Sequence, residues 1–338
     1  MAQAVWASAR TSGQGPACHL IALREHMSAE TASPWKGCKV CVTGGAGFIG
    51  RHLTAALTEA GASVVVLDDL STGKADPLPG GAELVKGCIS DPEKRKAVLD
   101  GVGAVFHLAA IASVPKCQAD PEGSKRVNRD AAMSFLQDAP GPVIFASSAA
   151  IYGVPEGVPI SESHPIRPIS NYGADKAAVD EAIRAGTGSH GATAMRFFNV
   201  YGHGQDPSSP YSGVLSIFAD RAASDSGVTL LGDGLQTRDF IHVSDVVAAL
   251  LTVGGMLLES KAKAPVAAQA YNVCTGKDIT LLDVLQAMRD ASGKALPAEH
   301  KPPREGDIRD SLGAPEALQA ATGWSPKVLL KDGLRDIL

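Results

Sequence analysis

Thr43-Gly44-Gly45-Ala46-Gly47-Phe48-Ile49-Gly50 is the stretch on which the fold of this 338-residue chain turns. It follows a short apolar run, Cys38 to Thr43, and precedes Ile49, Leu53, Ala56, Leu57 and Ala60 at helical spacing. The loop therefore joins a predicted strand to a predicted helix, which Gly61 ends at the C′ position. In that setting glycines at 44, 47 and 50 let backbone N–H groups approach a pyrophosphate. Ser63 to Leu67 is the next predicted strand, and Asp68 at its end is placed to bond the hydroxyls of an adenosine ribose. An acid there disfavours a 2′-phosphate, so the dinucleotide expected is NAD rather than NADP.

Working outward, strand and helix patterns alternate. Ala104 to Leu108, Val143 to Ala146 and Ala194 to Phe197 read as further strands. Asp91-Pro92 and Asp120-Pro121 read as N-caps followed by proline at the first helical position, and Asn171 precedes a helix carrying Tyr172 and Lys176. Alternation of this kind predicts an α/β fold with a parallel sheet covered by helices on both faces. After Asn199 the texture changes: residues 202–213 are rich in Gly, Pro and Ser, followed by the apolar segment Val214 to Ala223. Later come a strand at Phe240-Ile241, a helix from Ser244, a strand at Tyr271 to Val273 and a helix capped by Thr280. The division expected is 1–36 a disordered extension, 37–200 a dinucleotide-binding domain and 201–338 mainly a smaller lobe, with segments near 240–273 returning to the main domain.

With 45% hydrophobic residues, 20% charged residues and a net charge of −5, the composition is that of an ordinary globular protein without a nucleic-acid partner. The longest apolar region, Val246 to Leu258, reads as too short to span a bilayer, so no membrane anchor is expected. The six cysteines are scattered, which argues against a disulfide framework or a zinc site. Cys38 and Cys41 have CxxC spacing, but in a strand an odd separation points them to opposite faces, so no metal is expected. Residues 1–36 lack a secretory pattern; a degenerate transit segment, or translation starting at Met27, are the alternatives to a disordered extension in a cytoplasmic protein.

Ser147-Ser148-Ala149-Ala150-Ile151-Tyr152-Gly153 and Tyr172-Gly173-Ala174-Asp175-Lys176 supply a hydroxyl, a phenol and an ammonium downstream of the glycine loop. A phenol acts as a base near neutral pH only where positive charge stabilises the phenolate. Lys176, one helical turn from Tyr172, is placed to give that charge. The combination suits an enzyme that removes a hydride from an alcohol.

Together with His107-Leu108-Ala109-Ala110, Arg196-Phe197-Phe198-Asn199-Val200-Tyr201-Gly202, Gln236-Thr237-Arg238-Asp239 and Arg304-Glu305-Gly306-Asp307, these motifs resemble the extended short-chain dehydrogenase/reductase family. Within it they resemble the nucleotide-sugar 4-epimerases. The resemblance runs from about Lys39 to about Lys327. It implies a Rossmann-type doubly wound parallel sheet with a smaller mixed α/β C-terminal lobe for the substrate. It also implies NAD held by Gly44, Gly47, Phe48, Ile49, Gly50, Asp68, Asp69, Ile89, Leu108, Ala109 and Ala110, with Asn128 positioning Lys176. Tyr172 would be the catalytic base, Lys176 would hold the nicotinamide ribose and lower the tyrosine pKa, and Ser148 would bond the sugar oxygen. Asn199, Arg238, Arg304 and Asp307 would hold the nucleotide diphosphate of a UDP-hexose. Arginines in loops suit a diphosphate on physical grounds too, the plain alternative being surface ion pairs with Asp239 and Glu305.

Related dehydratases carry acidic residues where this chain has Ala149-Ala150. Without them the remaining groups suffice for reversible oxidation at C4 and not for elimination of water. By the resemblance Ser311 gates the hexose pocket, and a serine leaves room for an N-acetyl group. Ser113-Val114-Pro115 and Tyr211-Ser212-Gly213-Val214 also look like members that accept N-acetylated sugars. The expectation is a UDP-GlcNAc/UDP-GalNAc 4-epimerase that also accepts UDP-Glc/UDP-Gal. The alternatives are a uronate epimerase, a dehydratase or oxidoreductase, and a silent NAD-binding scaffold. A homodimer through a four-helix bundle, built from the helices after Asp120 and Asn171, is implied likewise.

The chain departs from the family pattern at Cys88, where an Asp commonly bonds adenine; Cys88 reads as a packed core thiol. His203-Gly204 replaces a common Pro-Arg pair and is expected to loosen its loop, and His107 reads as a satisfied structural histidine. The chain ends at Leu338, within what resembles the family's last helix.

Overall fold

The computed structural model describes residues 33–73, 77–208, 213–303 and 308–338. Seven parallel strands form the central sheet: β1 (Lys39–Thr43), β2 (Ser63–Asp68), β3 (Glu83–Lys86), β4 (Ala104–His107), β5 (Val143–Ser148), β6 (Ala192–Phe197) and, from much later in sequence, Gln269–Val273. Their order is β3-β2-β1-β4-β5-β6 followed by Gln269–Val273. Strand order reverses between β1 and β4, whose carboxyl ends therefore flank the crevice where ligands bind in such sheets.

Alternate side chains explain the two layers. Val40 and Val42, Val64 and Val66, Ala104 and Phe106 and Ile144 enter one apolar cluster, while Cys41, Val65, Leu67, Val105, Val143 and Phe145 enter another on the opposite face. A sheet buried on both faces draws on strands that are largely continuous apolar runs, as β1, β2 and β4 are. The helices are α1 (Phe48–Glu59), α2 (Pro92–Leu99), α3 (Val114–Ala119), α4 (Pro121–Ser124), α5 (Ala131–Asp138), α6 (Asn171–Arg184), α7 (Val214–Ala223) and α8 (Val243–Ser260). Leu53 and Leu57 of α1 and Val246, Leu250 and Val253 of α8 cover the first face; Leu136 of α5 and Val179 and Ile183 of α6 cover the second. Each such buried side chain contributes about 1.5–3 kcal/mol relative to exposure.

Asp91 and Asp120 cap α2 and α4 as expected. The cap of α6 is Ser170, whose hydroxyl accepts from Gly173 N at 3.1 Å; Asn171 is already the first helical residue. The apolar segment from Val246 extends to an 18-residue helix. It is long and apolar enough to cross a membrane, but 67% of its apolar window is buried inside the protein. Trp35, assigned to the extension, is 2% exposed and meets Phe106 at 5.5 Å over Gly254, which leaves room for both rings. Residues 1–32 of the expected extension lie outside the described residues.

Short strands build the second part: β7 (Asn199–Tyr201), β8 (Val228–Leu231), β9 (Thr237–Arg238), β10 (Phe240–His242), then β11, the Gln269–Val273 strand above, β12 (Ile279–Thr280), β13 (Ala298–Lys301) and β14 (Asp310–Ser311). β10 pairs with β7, β13 with β8, and β9 lies between β12 and β14. Phe218 of α7 packs with Leu230, Phe240 and Met288 in a separate apolar cluster. Thr280 and Asp283 form a reciprocal capping box on the helix Leu281–Ser292.

Candidate active site

The glycine loop turns tightly at Gly44, where φ is +71° and a Cβ would sit 2.8 Å from Ala109 N. A Cβ on Gly50 would overlap Gly44 O. The loop delivers the chain to α1, whose N-cap is Gly47 and whose first turn has neither a side-chain cap nor an acidic residue. The first backbone N–H groups of α1 thus have no intrahelical or side-chain partner, the arrangement that receives a phosphate anion.

A cavity of about 760 Å³ opens over this helix end and runs between β1 and β4. Gly44, Gly47, Phe48, Ile49, Gly50, Asp68, Asp69, Ile89, Leu108, Ala109 and Ala110 all line it, as do Ser148, Tyr172 and Lys176. The volume lies within the range of small-ligand and cofactor sites. Asp68 braces the loop it faces: Oδ2 accepts from Ala46 N at 3.0 Å and Oδ1 from Leu70 N at 2.8 Å. Burial raises the Asp68 pKa, and those two N–H bonds work against the rise. A carboxylate has about four acceptor positions, so the two bonds leave capacity for ribose hydroxyls. Glycine cradle, open helix terminus and acidic wall together fit an NAD molecule.

At the other end, β5 presents Ser148 and α6 presents Tyr172 and Lys176. The Ser148 hydroxyl accepts from Ala150 N at 3.2 Å and lies close enough to the Tyr172 phenol to act on its ionisation. Burial pushes the Tyr172 phenol up to about 12, against the pull of Ser148. Lys176 bonds the backbone of β5 and not the phenol. Its Nζ donates to Ala146 O at 2.8 Å, lies 4.6 Å from the centroid of Phe145 and stands 6.0 Å from that of Tyr172. Burial also brings Lys176 itself down to about 7, so its charge near neutrality is only partial.

Asn128 does not hold Lys176 either. Its amide clamps Ile111, accepting from Ile111 N at 2.7 Å and donating to Ile111 O at 3.0 Å, and it bonds Ser124. Ser124 in turn donates to Asp175 at 2.5 Å, so Asn128 reaches α6 through a relay next to Lys176. Ser113 caps α3, accepting from Lys116 N at 3.3 Å, and is 3% exposed rather than on the cavity wall. His107 is sandwiched by Phe135 and Phe145, and its Nδ1 meets Thr43 Oγ1 at 3.1 Å. Burial lowers its pKa to about 3, helped by Lys176, and its Nε2 has no partner among the described residues. Cys88 is half-buried on the cavity wall, with Sγ 3.0 Å from Ser90 Oγ, and is not a core thiol. The loop at His203 is pinned rather than loosened: His52 Nε2 meets His203 O at 2.8 Å, and His203 N donates to Asp336 at 3.2 Å.

In the second part, Ser311 and Arg238 are register partners on neighbouring strands, and Asn199 N donates to Asp239 O at 3.0 Å. Asp239 is fully buried and forms no surface ion pair with Arg238. Its carboxylate accepts from Thr275 N at 2.8 Å, Thr275 Oγ1 at 2.7 Å, Gly276 N at 2.8 Å and Gly313 N at 3.4 Å. Sequence reasoning missed Gln236 as a site residue. It lines a hollow of about 540 Å³ with Asp233, Lys301 and Arg309, and its buried Oε1 has no partner among the described residues. Its only signal was membership of the motif before Arg238. Tyr211, Arg304 and Asp307 lie outside the described residues.

The model of the NAD dependent epimerase/dehydratase family matches residues 40–274. A UDP-glucose 4-epimerase of Azospirillum brasilense is 33% identical over 326 residues, covering 88% of this chain and 89% of its own. The UDP-glucose 4-epimerase of Thermus thermophilus, solved with NAD, is 36% identical with a TM-score of 0.77, covering 88% of this chain and 97% of that one. The UDP-N-acetylglucosamine 4-epimerase of Methanobrevibacter ruminantium M1, solved with UDP-N-acetylmuramic acid, is 30% identical with a TM-score of 0.81, covering 89% and 97%. The chain therefore belongs to the NAD dependent epimerase/dehydratase family, as an NAD-dependent enzyme of its nucleotide-sugar 4-epimerase kind.

Proposed function

We propose that the protein inverts C4 of a UDP-hexose, with UDP-GlcNAc/UDP-GalNAc preferred and UDP-Glc/UDP-Gal accepted. The observation that carries this reading is the convergence of Ser148, Tyr172 and Lys176 on one cavity wall, next to a turn where Ala149 and Ala150 offer no acid. When bound, NAD accepts the C4 hydride and later returns it. Tyr172 takes the proton of the C4 hydroxyl and gives one back, and Ser148 bonds the same oxygen. Tyr172 at about 12 is too weakly acidic to work alone, so positive charge entering the cavity has to stabilise the phenolate. Arg238, with Arg304, holds the diphosphate while the oxidised sugar turns about that tether and offers its other face. The tether keeps the return step intramolecular. The hollow lined by Gln236, Asp233, Lys301 and Arg309 is suited to a nucleoside. Ser311, small and beside Arg238, leaves space for an N-acetyl group.

The test is incubation of purified protein, without added cofactor, with UDP-GlcNAc, UDP-Glc or UDP-glucuronate, followed by product analysis. C4 epimers of the first two, and fastest of UDP-GlcNAc, are expected. Exclusive turnover of the uronate would refute the substrate assignment, and no epimer from any of the three, even with NAD added, would refute the reaction.

A further inference from the structure

Two consecutive residues of β5 are tied to one helix, and the next faces it. Ala146 O accepts from Lys176, the Ser147 hydroxyl donates to Asp180 Oδ2 at 3.0 Å, and Ser148 shares the cavity wall with Tyr172. Residues 172, 176 and 180 follow at intervals of four, so they share one face of α6. The Lys176 tie and the Ser148–Tyr172 approach involve groups assigned to the reaction. The Ser147 tie runs away from the reacting groups to a buried carboxylate, and no step of the reaction uses it. Ser147, Asp180 and Arg196 are 2%, 0% and 0% exposed.

Arg196 on β6 grips Asp180 with two bonds, Nε to Oδ2 at 2.9 Å and Nη2 to Oδ1 at 2.6 Å. Burial disfavours its charge, and the Asp180 carboxylate more than restores it. Its remaining nitrogen donates to Tyr152 OH at 2.8 Å and to Glu162 O at 3.1 Å; Tyr152 OH donates to Asn272 Oδ1 at 2.7 Å on β11. The network thus spans three adjacent strands and the helix. A buried ion pair is weak evidence for stability, because apolar residues of similar volume often do as well. What a bidentate fork adds is fixed geometry. Ser147 and Arg196 are also direct register partners, so both hold Asp180 from neighbouring strands at the same level.

We propose that Ser147, Asp180 and Arg196 are positioning residues: a buried clamp that sets how far α6 lies along β5, and so the reach of Tyr172 to Ser148. The clamp rests on the proposed 4-epimerase reaction for its consequence in turnover, though not for its effect on the helix. Releasing it lets α6 slide, and displacements of about 1 Å at reacting groups cost up to about a hundredfold in rate.

The test compares Ser147→Ala, Asp180→Asn and the conservative Ser147→Thr with the unmodified holoenzyme, using whichever UDP-hexose that enzyme epimerises. Ser147→Ala is expected to lower kcat about tenfold with KM changed less than about twofold. The acidic limb of its kcat–pH profile should move upward as the phenolate loses Ser148, and Ser147→Thr should restore both. Asp180→Asn should do the same more severely. If Asp180→Asn fails to fold, the two Ser147 variants decide the matter. Lower thermal stability with unchanged kcat and pH profile would overturn the proposal. A second readout needs no turnover: amide exchange across residues 172–180 should quicken in Ser147→Ala while α8 is unaffected. If the unmodified protein epimerises no UDP-hexose, the proposed function falls and exchange alone decides the clamp; equal exchange in protein and variant would overturn it.

Discussion

Lys176→Met should make the cofactor-free protein more stable while removing its activity. Burial carries the Lys176 ammonium from its ordinary 10.5 to about 7. At 1.36 kcal/mol per pH unit this is about 5 kcal/mol against keeping the charged form in the native state. The hydrogen bond to Ala146 O returns about 1.5–3 kcal/mol of that, and a methionine of similar length keeps the apolar contact with Phe145. The net gain expected near neutrality is about 2 kcal/mol. The sign with pH follows from proton counting. Between about pH 7 and 10.5 the unfolded chain holds a lysine proton that the native state has shed, so the stability of the unmodified protein rises with pH across that window. The advantage of the variant should therefore shrink by about 3 kcal/mol between about pH 6 and about pH 9. Urea unfolding at the two pH values measures both quantities. A variant less stable than the parent at the lower pH, or a gap that fails to narrow, would refute the reasoning that burial strains this lysine.

Tyr172→Phe should lower turnover by about a thousandfold or more while the protein still retains NAD, read as product formation and as nucleotide released on denaturation. Gly50→Ala puts a methyl group into Gly44 O, and should abolish NAD retention and lower the melting temperature; normal retention would contradict the loop geometry. Ser311→Tyr should raise KM for UDP-GlcNAc by about tenfold or more and leave UDP-Glc nearly unaffected, since a methyl-sized clash alone is worth about 1–3 kcal/mol in a pocket. Equal effects on both sugars would show that Ser311 does not read the acetyl group.

The parts of this fold legible from sequence are those governed by local period and by glycine. Alternating Val40, Cys41 and Val42 gave away a two-faced strand, and the glycines at 44, 47 and 50 fixed the loop before the helix. β1, β2 and β4 are largely continuous apolar runs, whereas β3, with half-buried Leu84 and Val85 between Glu83 and Lys86, carried no such signal. In the site, residue type was readable and direction was not. Nothing in the spacing of Tyr172 and Lys176 revealed that Nζ turns to a strand carbonyl, or that Asn128 commits its amide to Ile111. Asp239, Asp180 and Arg196 read as polar residues in mixed segments. Their burial depends on partners far along the chain, which no local pattern encodes.

Asp239 has a consequence for the order in which this protein is built. Its backbone and carboxylate join Asn199, Ser311, Gly313, Thr275 and Gly276, so three distant stretches of chain meet at one residue. Contacts separated by 36 to 74 residues close late, because loop entropy is lost before any contact rewards it. On a ribosome adding about 5–20 residues per second, β1 to β6 can pair while Ser311 is still unmade. The strands that flank the dinucleotide crevice are then made several seconds before the Ser311 strand exists. During that interval the Asp239 carboxylate has neither Ser311's strand nor Gly313 beside it, and the growing chain is at its most exposed to proteases and chaperones.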